Sequence, residues 1–216
     1  ADIGALLTDR TSLVYLESPG SLTFELHDIP AVAELAHARG AMVCCDNTYA
    51  TGYFHRALDL GVDIVAQAAT KYIIGHSDAM LGVVTCKDAD TYRALKEAAN
   101  WVGHGAAPDV IWMAHRGLRT LPVRLERHQE NGLRLARWLE GRAEVSAVLH
   151  PGLQSHPDHA IWRRDFMGAT GLFTIQLNST DKQRAVRFVE ALRLFGLGFS
   201  WGGFESLALI ADPSGA

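Results

Sequence analysis

The sequence predicts an α/β fold, with a mostly parallel sheet followed by a smaller α+β portion. Three observations carry this expectation. Residues 13–16, 41–45 and 62–66 are short apolar runs of strand length, and the spans between them are long enough for parallel crossovers. The span between the first two has a helix start at Asp28-Ile29-Pro30 and a helix stop at Gly40. Near Gly117 to Pro122 the pattern changes to long helices and then to isolated strands. The boundary is therefore expected there, with residues 1–117 forming the larger portion and 118–216 the smaller one.

Each element has a local reason. Leu13-Val14-Tyr15-Leu16 reads as a strand ended by the Glu17-Ser18-Pro19-Gly20 turn. The helix after Asp28 carries Val32, Leu35 and Ala36 on one face. Ala41-Met42-Val43-Cys44-Cys45 is a buried strand that ends at Asp46-Asn47-Thr48. Val62 to Ala66 is the next strand, and residues 79–85 read as a return strand. Strand, helix, strand at these lengths implies parallel pairing with right-handed crossovers.

Helices are expected over residues 88–100, 107–117 and 122–139. The last has Leu125, Leu133, Ala136 and Leu139 in its apolar stripe, with Arg124, Arg127, Arg134 and Arg137 on a charge-laced exposed face. Strands are expected at 145–149, 171–177 and 197–200. Thr180 with Gln183 reads as a capping box for the helix between the last two.

Composition narrows the function classes. The 216 residues carry a formal net charge of −4, and no basic cluster exceeds a solvated helix face. That argues against a nucleic-acid or membrane-surface partner. No apolar run reaches spanning length, and no signal-peptide pattern stands at the start. Cys44, Cys45 and Cys86 lack metal-ligand spacing, and neighbours in a strand point to opposite faces. They read as buried packing residues of a reducing cytoplasm. The ten histidines include no His-x-x-x-His pair, so no metal is expected.

Two residues stand out chemically. Lys71 follows an apolar strand and precedes Tyr72-Ile73-Ile74-Gly75. A desolvated lysine holds its proton less tightly, and its free amine is a nucleophile toward aldehydes. Asp46 ends a neighbouring strand, where parallel sheets place their ligand crevice. An amine beside a carboxylate fits pyridoxal phosphate, whose ring nitrogen needs an acidic partner to act as an electron sink. Thr70 could offer its hydroxyl to the phosphate. Each residue also has a plainer reading: Asp46 as a turn former or helix cap, Lys71 as a solvated loop residue.

Beyond residue types, four segments resemble the pyridoxal-phosphate enzymes of cysteine and methionine metabolism. They are Tyr15-Leu16-Glu17-Ser18-Pro19-Gly20-Ser21, Asp46-Asn47-Thr48-Tyr49-Ala50-Thr51-Gly52, Ala69-Thr70-Lys71-Tyr72 with Gly75-His76-Ser77-Asp78, and Ser200-Trp201-Gly202-Gly203-Phe204-Glu205-Ser206-Leu207. They span nearly the whole chain in the family's order. The resemblance implies part of a large transferase-like domain of fold type I, followed by a smaller α+β C-terminal domain. It implies that Lys71 anchors pyridoxal 5'-phosphate and acts as acid and base. Asp46 would pair with the pyridinium and Thr70 would bind phosphate. Tyr49 and Ser21 would lie near the cofactor ring, and Ser200 and Trp201 near the substrate.

Within the family, Ser18-Pro19-Gly20-Ser21-Leu22 and Ala68 lean toward the β-lyase branch, where γ-branches tend to carry Ser-Pro-Thr-Asn-Pro and a serine. The implied activity is β-elimination of L-cystathionine to homocysteine, pyruvate and ammonia, in methionine biosynthesis. The alternatives are a γ-lyase, a γ-synthase, a sulfhydrylase, or a non-catalytic module that kept the fold. The implied assembly is a homotetramer, a dimer of dimers, acting on a sulfur amino acid. The resemblance further implies that this chain is an internal fragment, with the phosphate cradle before it and the substrate carboxylate's arginine after it. His76 is expected to be a structural hydrogen-bond partner.

Overall fold

Four strands form the central sheet in the order β1-β2-β3-β4, where β1 is Leu13–Glu17, β2 Met42–Asp46, β3 Ile64–Ala68 and β4 Gly82–Cys86. The structure, a computed structural model, describes residues 3–211. The first three strands are parallel, with Leu13 opposite Met42 and Cys44 opposite Ile64. The return strand β4 is antiparallel to β3. It starts at Gly82, later than the run from Ala79 suggests, because Ala79 and Leu81 pack under the preceding loop instead.

Helix α1 (Ile3–Leu6) precedes the sheet, and α2 (Ile29–His37) crosses from β1 to β2. Asp28 caps α2 by accepting the N–H of Ala31, and Gly40 turns the chain at φ +73°. One sheet face is dry. Val14, Leu16, Val43, Cys45 and Val65 meet Ile29, Ala33 and Ala36 of α2 in one buried cluster. The opposite face leaves Leu13, Tyr15, Met42 and Val84 exposed. Alternation along the strands puts Glu17, Asp46 and Ala66 on that open face.

Between β2 and β3 lie α3 (Thr51–Phe54) and a 3₁₀ turn, Ala57–Leu60. After β4 come α4 (Ala89–Trp101), α5 (Pro108–Leu118) and α6 (Leu121–Glu140). Asp88 caps α4 through the N–H groups of Asp90 and Thr91. The head of α6 joins the second cluster, where Leu121 and Leu125 meet Phe24, Tyr49, Phe54, Tyr72 and Phe166.

The remainder is α+β as expected. Strand β5 (Val145–Leu149) pairs antiparallel with β6 (Thr174–Leu177), and α6 packs on them through Ala136, Leu139 and Val148. Between them lies α7 (His159–Asp165), and α8 (Lys182–Glu190) follows. β6 is shorter than residues 171–177, because Gly171 is pressed against His128 instead of pairing. The cap of α8 is Asp181, whose carboxylate accepts the N–H of Gln183, and not Thr180. Strand β7 is only Gly196–Leu197, paired in parallel with β8 (Leu207–Ala208). Ser200 and Trp201 thus lie on the connection beyond a very short strand, not at the end of a long one. Cys44 and Cys45 are buried, but Cys86, on the edge strand, is only partly so. Among the described residues no helix is long and apolar enough to cross a membrane.

Candidate active site

Three parallel strands end side by side. Glu17, the last residue of β1, is in register with Asp46, the last of β2, and Asp46 is in register with Ala66 of β3. Open α/β sheets bind ligands beyond this edge. The Asp46 carboxylate is anchored by the turn it begins. Its Oδ1 accepts the N–H of Thr48 at 2.8 Å, and the Thr48 hydroxyl accepts the N–H of Ala68 at 2.8 Å. The turn that positions the carboxylate is thereby tied to the strand that leads to Lys71.

The next residue is fixed from behind. Asn47 donates through Nδ2 to the carbonyl of His55 at 2.8 Å, and its Oδ1 lies 3.0 Å from His55 Nδ1. The His55 ring stacks on Phe166 with centroids 4.0 Å apart. Burial pushes the His55 pKa down to about 4, so the ring is neutral at ordinary pH, and its Nε2 is buried without a partner. Thr51, a β-branched residue, holds φ +54° in this same turn. Such a conformation costs on the order of 1–3 kcal/mol and tends to occur at functional sites.

Lys71 sits three residues past β3 in a tight loop. Its N–H donates to Ala68, and its carbonyl accepts from Gly75 at 2.8 Å. The amine donates to Ser200 Oγ at 2.9 Å and lies 5.1 Å from the centroid of the Trp201 ring. Burial lowers its pKa from the ordinary lysine value. Among the described residues no carboxylate lies within ion-pair distance of it. No anionic partner therefore offsets the desolvation; the Ser200 hydroxyl and the Trp201 ring face are what the charged amine has.

The segment carrying Ser200 crosses the lysine loop closely. Gly202, at φ +84°, leaves no room for a side chain: a Cβ there would stand 3.0 Å from the carbonyl carbon of Lys71 and the nitrogen of Tyr72. A Cβ on Gly203 would strike Ser77 Oγ, which donates to Glu205 Oε2 at 2.7 Å. The Trp201 ring packs on Tyr72 at 5.3 Å. His76 makes a local hydrogen-bond contact, from Nδ1 to the Ile74 carbonyl at 2.6 Å.

Among the residues singled out in the sequence, the structure thus gathers Lys71, Ser200 and Trp201 directly. Ser21 joins the carboxylate edge, where its hydroxyl donates to Glu17 Oε1 at 2.6 Å. Thr70 turns elsewhere. Its hydroxyl accepts the N–H of Leu81 at 2.9 Å and donates to the Leu81 carbonyl at 3.3 Å. Tyr49 is buried in the second cluster, with its hydroxyl on the Leu172 carbonyl at 3.3 Å and its pKa pushed up to about 12 by burial. The sequence reading missed Glu205, Asn47 and His55. Glu205 and Ser77 lie within the matching segments, but their 128-residue separation conceals the pairing.

The cysteines are held as thiols. Burial, and then the Asp46 charge, raises Cys44, and the same two causes push Cys45 up to about 12. Burial and Asp88 raise Cys86.

These groups suit part of what pyridoxal phosphate requires. A desolvated primary amine suits its aldehyde, and a carboxylate one strand away suits a protonated ring nitrogen. The hydroxyls of Thr70 and Ser21 are both engaged within the chain, so the phosphate finds no free donor among these two residues.

Comparison with known proteins agrees with this chemistry. A family profile described as Cys/Met metabolism PLP-dependent enzyme matches residues 1–214. The chain is 42% identical over 216 residues to cystathionine beta-lyase MetC of Escherichia coli K12, covering 99% of this chain and 54% of that protein. It is 42% identical over 207 residues to cystathionine gamma-lyase of Dictyostelium discoideum, covering 95% and 53%. The fold matches the crystal structure of cystathionine gamma synthase from Xanthomonas oryzae pv. oryzae in complex with aminoacrylate and cysteine. The TM-score is 0.87 at 40% identity, over 91% of this chain and 50% of that one. The chain thus spans about half the length of the curated relatives it matches.

Proposed function

We propose, for a chain that belongs to the Cys/Met metabolism PLP-dependent enzyme family, that the complete protein is a carbon–sulfur lyase cleaving L-cystathionine by β-elimination. The observation that carries this reading is the desolvated Lys71 amine, held on Ser200 one strand away from the Asp46 carboxylate.

Pyridoxal phosphate, when bound, supplies an aldehyde for an amine and a ring that draws electrons away from the substrate α-carbon. The chain supplies the rest. Lys71 Nζ would hold the cofactor's aldehyde and, when free, would take the proton from the substrate α-carbon. The same Nζ then carries a proton toward the departing sulfur. Burial favours its neutral form, which is the form that can accept. Asp46 would hold the ring nitrogen protonated through its carboxylate, which the Thr48 N–H keeps in place while Asn47 fixes the turn behind it. Ser200 aims the amine and lies near the substrate carboxylate, and Trp201 lines the same pocket. Thr70 would reach the phosphate only by turning its hydroxyl proton away from Leu81. Ser21 lies at the crevice edge beside Glu17, and Tyr49 backs the wall through packing.

The products would be homocysteine and an aminoacrylate, which one water hydrolyses to pyruvate and ammonia. A second reading, γ-elimination or γ-replacement with the same lysine, is favoured by the gamma-lyase and gamma-synthase relatives. The Gly20-Ser21-Leu22 segment and Ala68 favour the β reading. Incubating the purified complete protein with L-cystathionine and analysing the keto acid separates them. Pyruvate supports β-elimination, and 2-oxobutyrate overturns it. A protein that takes up pyridoxal phosphate on no lysine, and so gives no borohydride-fixed adduct, would be a module without this activity. The assembly proposed is a homotetramer in the cytoplasm, and the portions 1–117 and 118–216 are proposed as its large-domain part and small-domain part.

A further inference from the structure

Arg124 belongs to the first turns of α6, where helix periodicity predicts a solvated arginine. The structure turns it inward under the lysine loop. Nη2 donates to the carbonyls of Gly117 at 3.0 Å and Ile73 at 3.3 Å, and Nε donates to Thr120 Oγ1 at 3.1 Å. Nη1 is buried with no partner. Among the described residues no carboxylate lies within ion-pair distance of this guanidinium, and burial lowers its pKa. His128, one turn further along, is lowered by burial and then by the Arg124 charge.

An uncompensated, half-buried guanidinium is costly. Its return is a grip on two backbone carbonyls, one at the end of α5 and one two residues past Lys71. The neighbouring glycines are cut to this grip. A Cβ on Gly75, which holds φ +72°, would lie 2.1 Å from Nη1. A Cβ on Gly117 would lie 2.2 Å from the Ile73 carbonyl oxygen. The loop is therefore fixed at two places, by Gly202 against the backbone of Lys71 itself and by Arg124 and Gly117 against residues 73–75. A planar fork with several fixed donors does this; a flexible ammonium does not.

We propose that Arg124 is a positioning residue for Lys71: it holds the backbone of residues 73–75 so that the lysine amine is delivered to Ser200 and the crevice. This rests on the reading of Lys71 as the reactive amine. The test uses the complete protein with Arg124→Met and Arg124→Lys. Three measurements are made: kcat and KM for L-cystathionine, amide hydrogen exchange across residues 71–75, and the rate at which trinitrobenzenesulfonate labels Lys71 in cofactor-free protein. Arg124→Met is expected to lower kcat about a hundredfold with KM nearly unchanged, as for a reacting group displaced by about 1 Å. Exchange at residues 71–75 should rise, and Lys71 should be labelled several-fold faster as its amine leaves the Ser200 slot. Arg124→Lys should restore little, because it keeps the charge and loses the fork. Wild-type kcat per folded molecule together with unchanged labelling overturns the proposal. If Arg124→Met does not fold, wild-type behaviour of Arg124→Lys overturns it equally. The labelling and exchange measurements need no turnover. If Lys71→Ala kept full activity, the reading of Lys71 would fail, while the positioning claim would still be judged by them.

Discussion

The amine of Lys71 meets the hydroxyl of Ser200 at 2.9 Å across 129 residues of sequence. Among the described residues the lysine has no carboxylate within ion-pair distance to hold its proton; it has a neutral acceptor and the face of Trp201. It is a desolvated base restrained by a weak partner, and the first expectation follows from that. Removing the acceptor, as in Ser200→Ala, takes away a hydrogen bond that favours the charged amine. The Lys71 pKa should fall further, and the acid limb of the kcat profile, which reports the amine after substrate has bound, should move to lower pH. A profile identical to wild type would mean that this contact does not govern the amine.

Lys71→Ala should abolish turnover, by about a thousandfold or more, since both the anchor and the proton carrier are lost. The visible band of the lysine-bound cofactor, and its fixation by borohydride, should vanish together. A variant with normal turnover removes the enzymatic reading.

Asp46→Asn keeps an oxygen for the Thr48 N–H, so the turn after β2 should survive. Only the charge proposed to face the ring nitrogen is lost. The expected cost is several orders of magnitude in kcat, with thermal unfolding nearly unchanged, because an unprotonated ring is a poor electron sink. A cost below about tenfold would reduce Asp46 to a turn former.

Acid should destabilise the fold through two buried imidazoles. Burial pushes both His55 and His150 down to about 4, from an ordinary value of 6.5. The unfolded chain therefore binds protons first as the pH falls. Stability is fully present above about pH 6.5 and is lost progressively down to about pH 4. Each ring can contribute at most about 3 kcal/mol to that loss. Urea unfolding of His55→Phe at pH 7 and pH 5 should show a smaller difference between the two than wild type. An unchanged difference would place the acid sensitivity elsewhere.

Gly117→Ala should be severely destabilising, about 3 kcal/mol, because the new methyl would meet two backbone carbonyls, of Ile73 at 2.2 Å and Ile74 at 2.7 Å. Backbone cannot rotate aside as a side chain can. A shift in unfolding midpoint no larger than that of a surface substitution would mean the loop is not wedged there.

Much of this architecture can be read from the chain. Residues 13–16, 41–45 and 62–66 are apolar enough to be strands, and their parallel order puts the segments after Glu17, Asp46 and Ala68 at one edge. Local chemistry also identifies the cap Asp28. What escapes is set by long-range packing. Periodicity places Arg124 in solvent because it cannot see that Gly75 opens a slot for the guanidinium. The Ser200 segment reads as a strand, yet only Gly196 and Leu197 pair, since the rest is spent crossing Lys71. Thr180 resembles a cap, but Asp181, one residue on, offers a stronger acceptor. Tyr49 and Thr70 stand next to the site in sequence, while their side chains are claimed by Leu172 and Leu81.

The same loss of water acts in opposite directions on the two kinds of nucleophile near the crevice. It loosens the hold of the Lys71 nitrogen on its proton, while it keeps the sulfurs of Cys44 and Cys45 in their unreactive form. An electrophile of modest strength should therefore discriminate by element, modifying nitrogen and sparing sulfur.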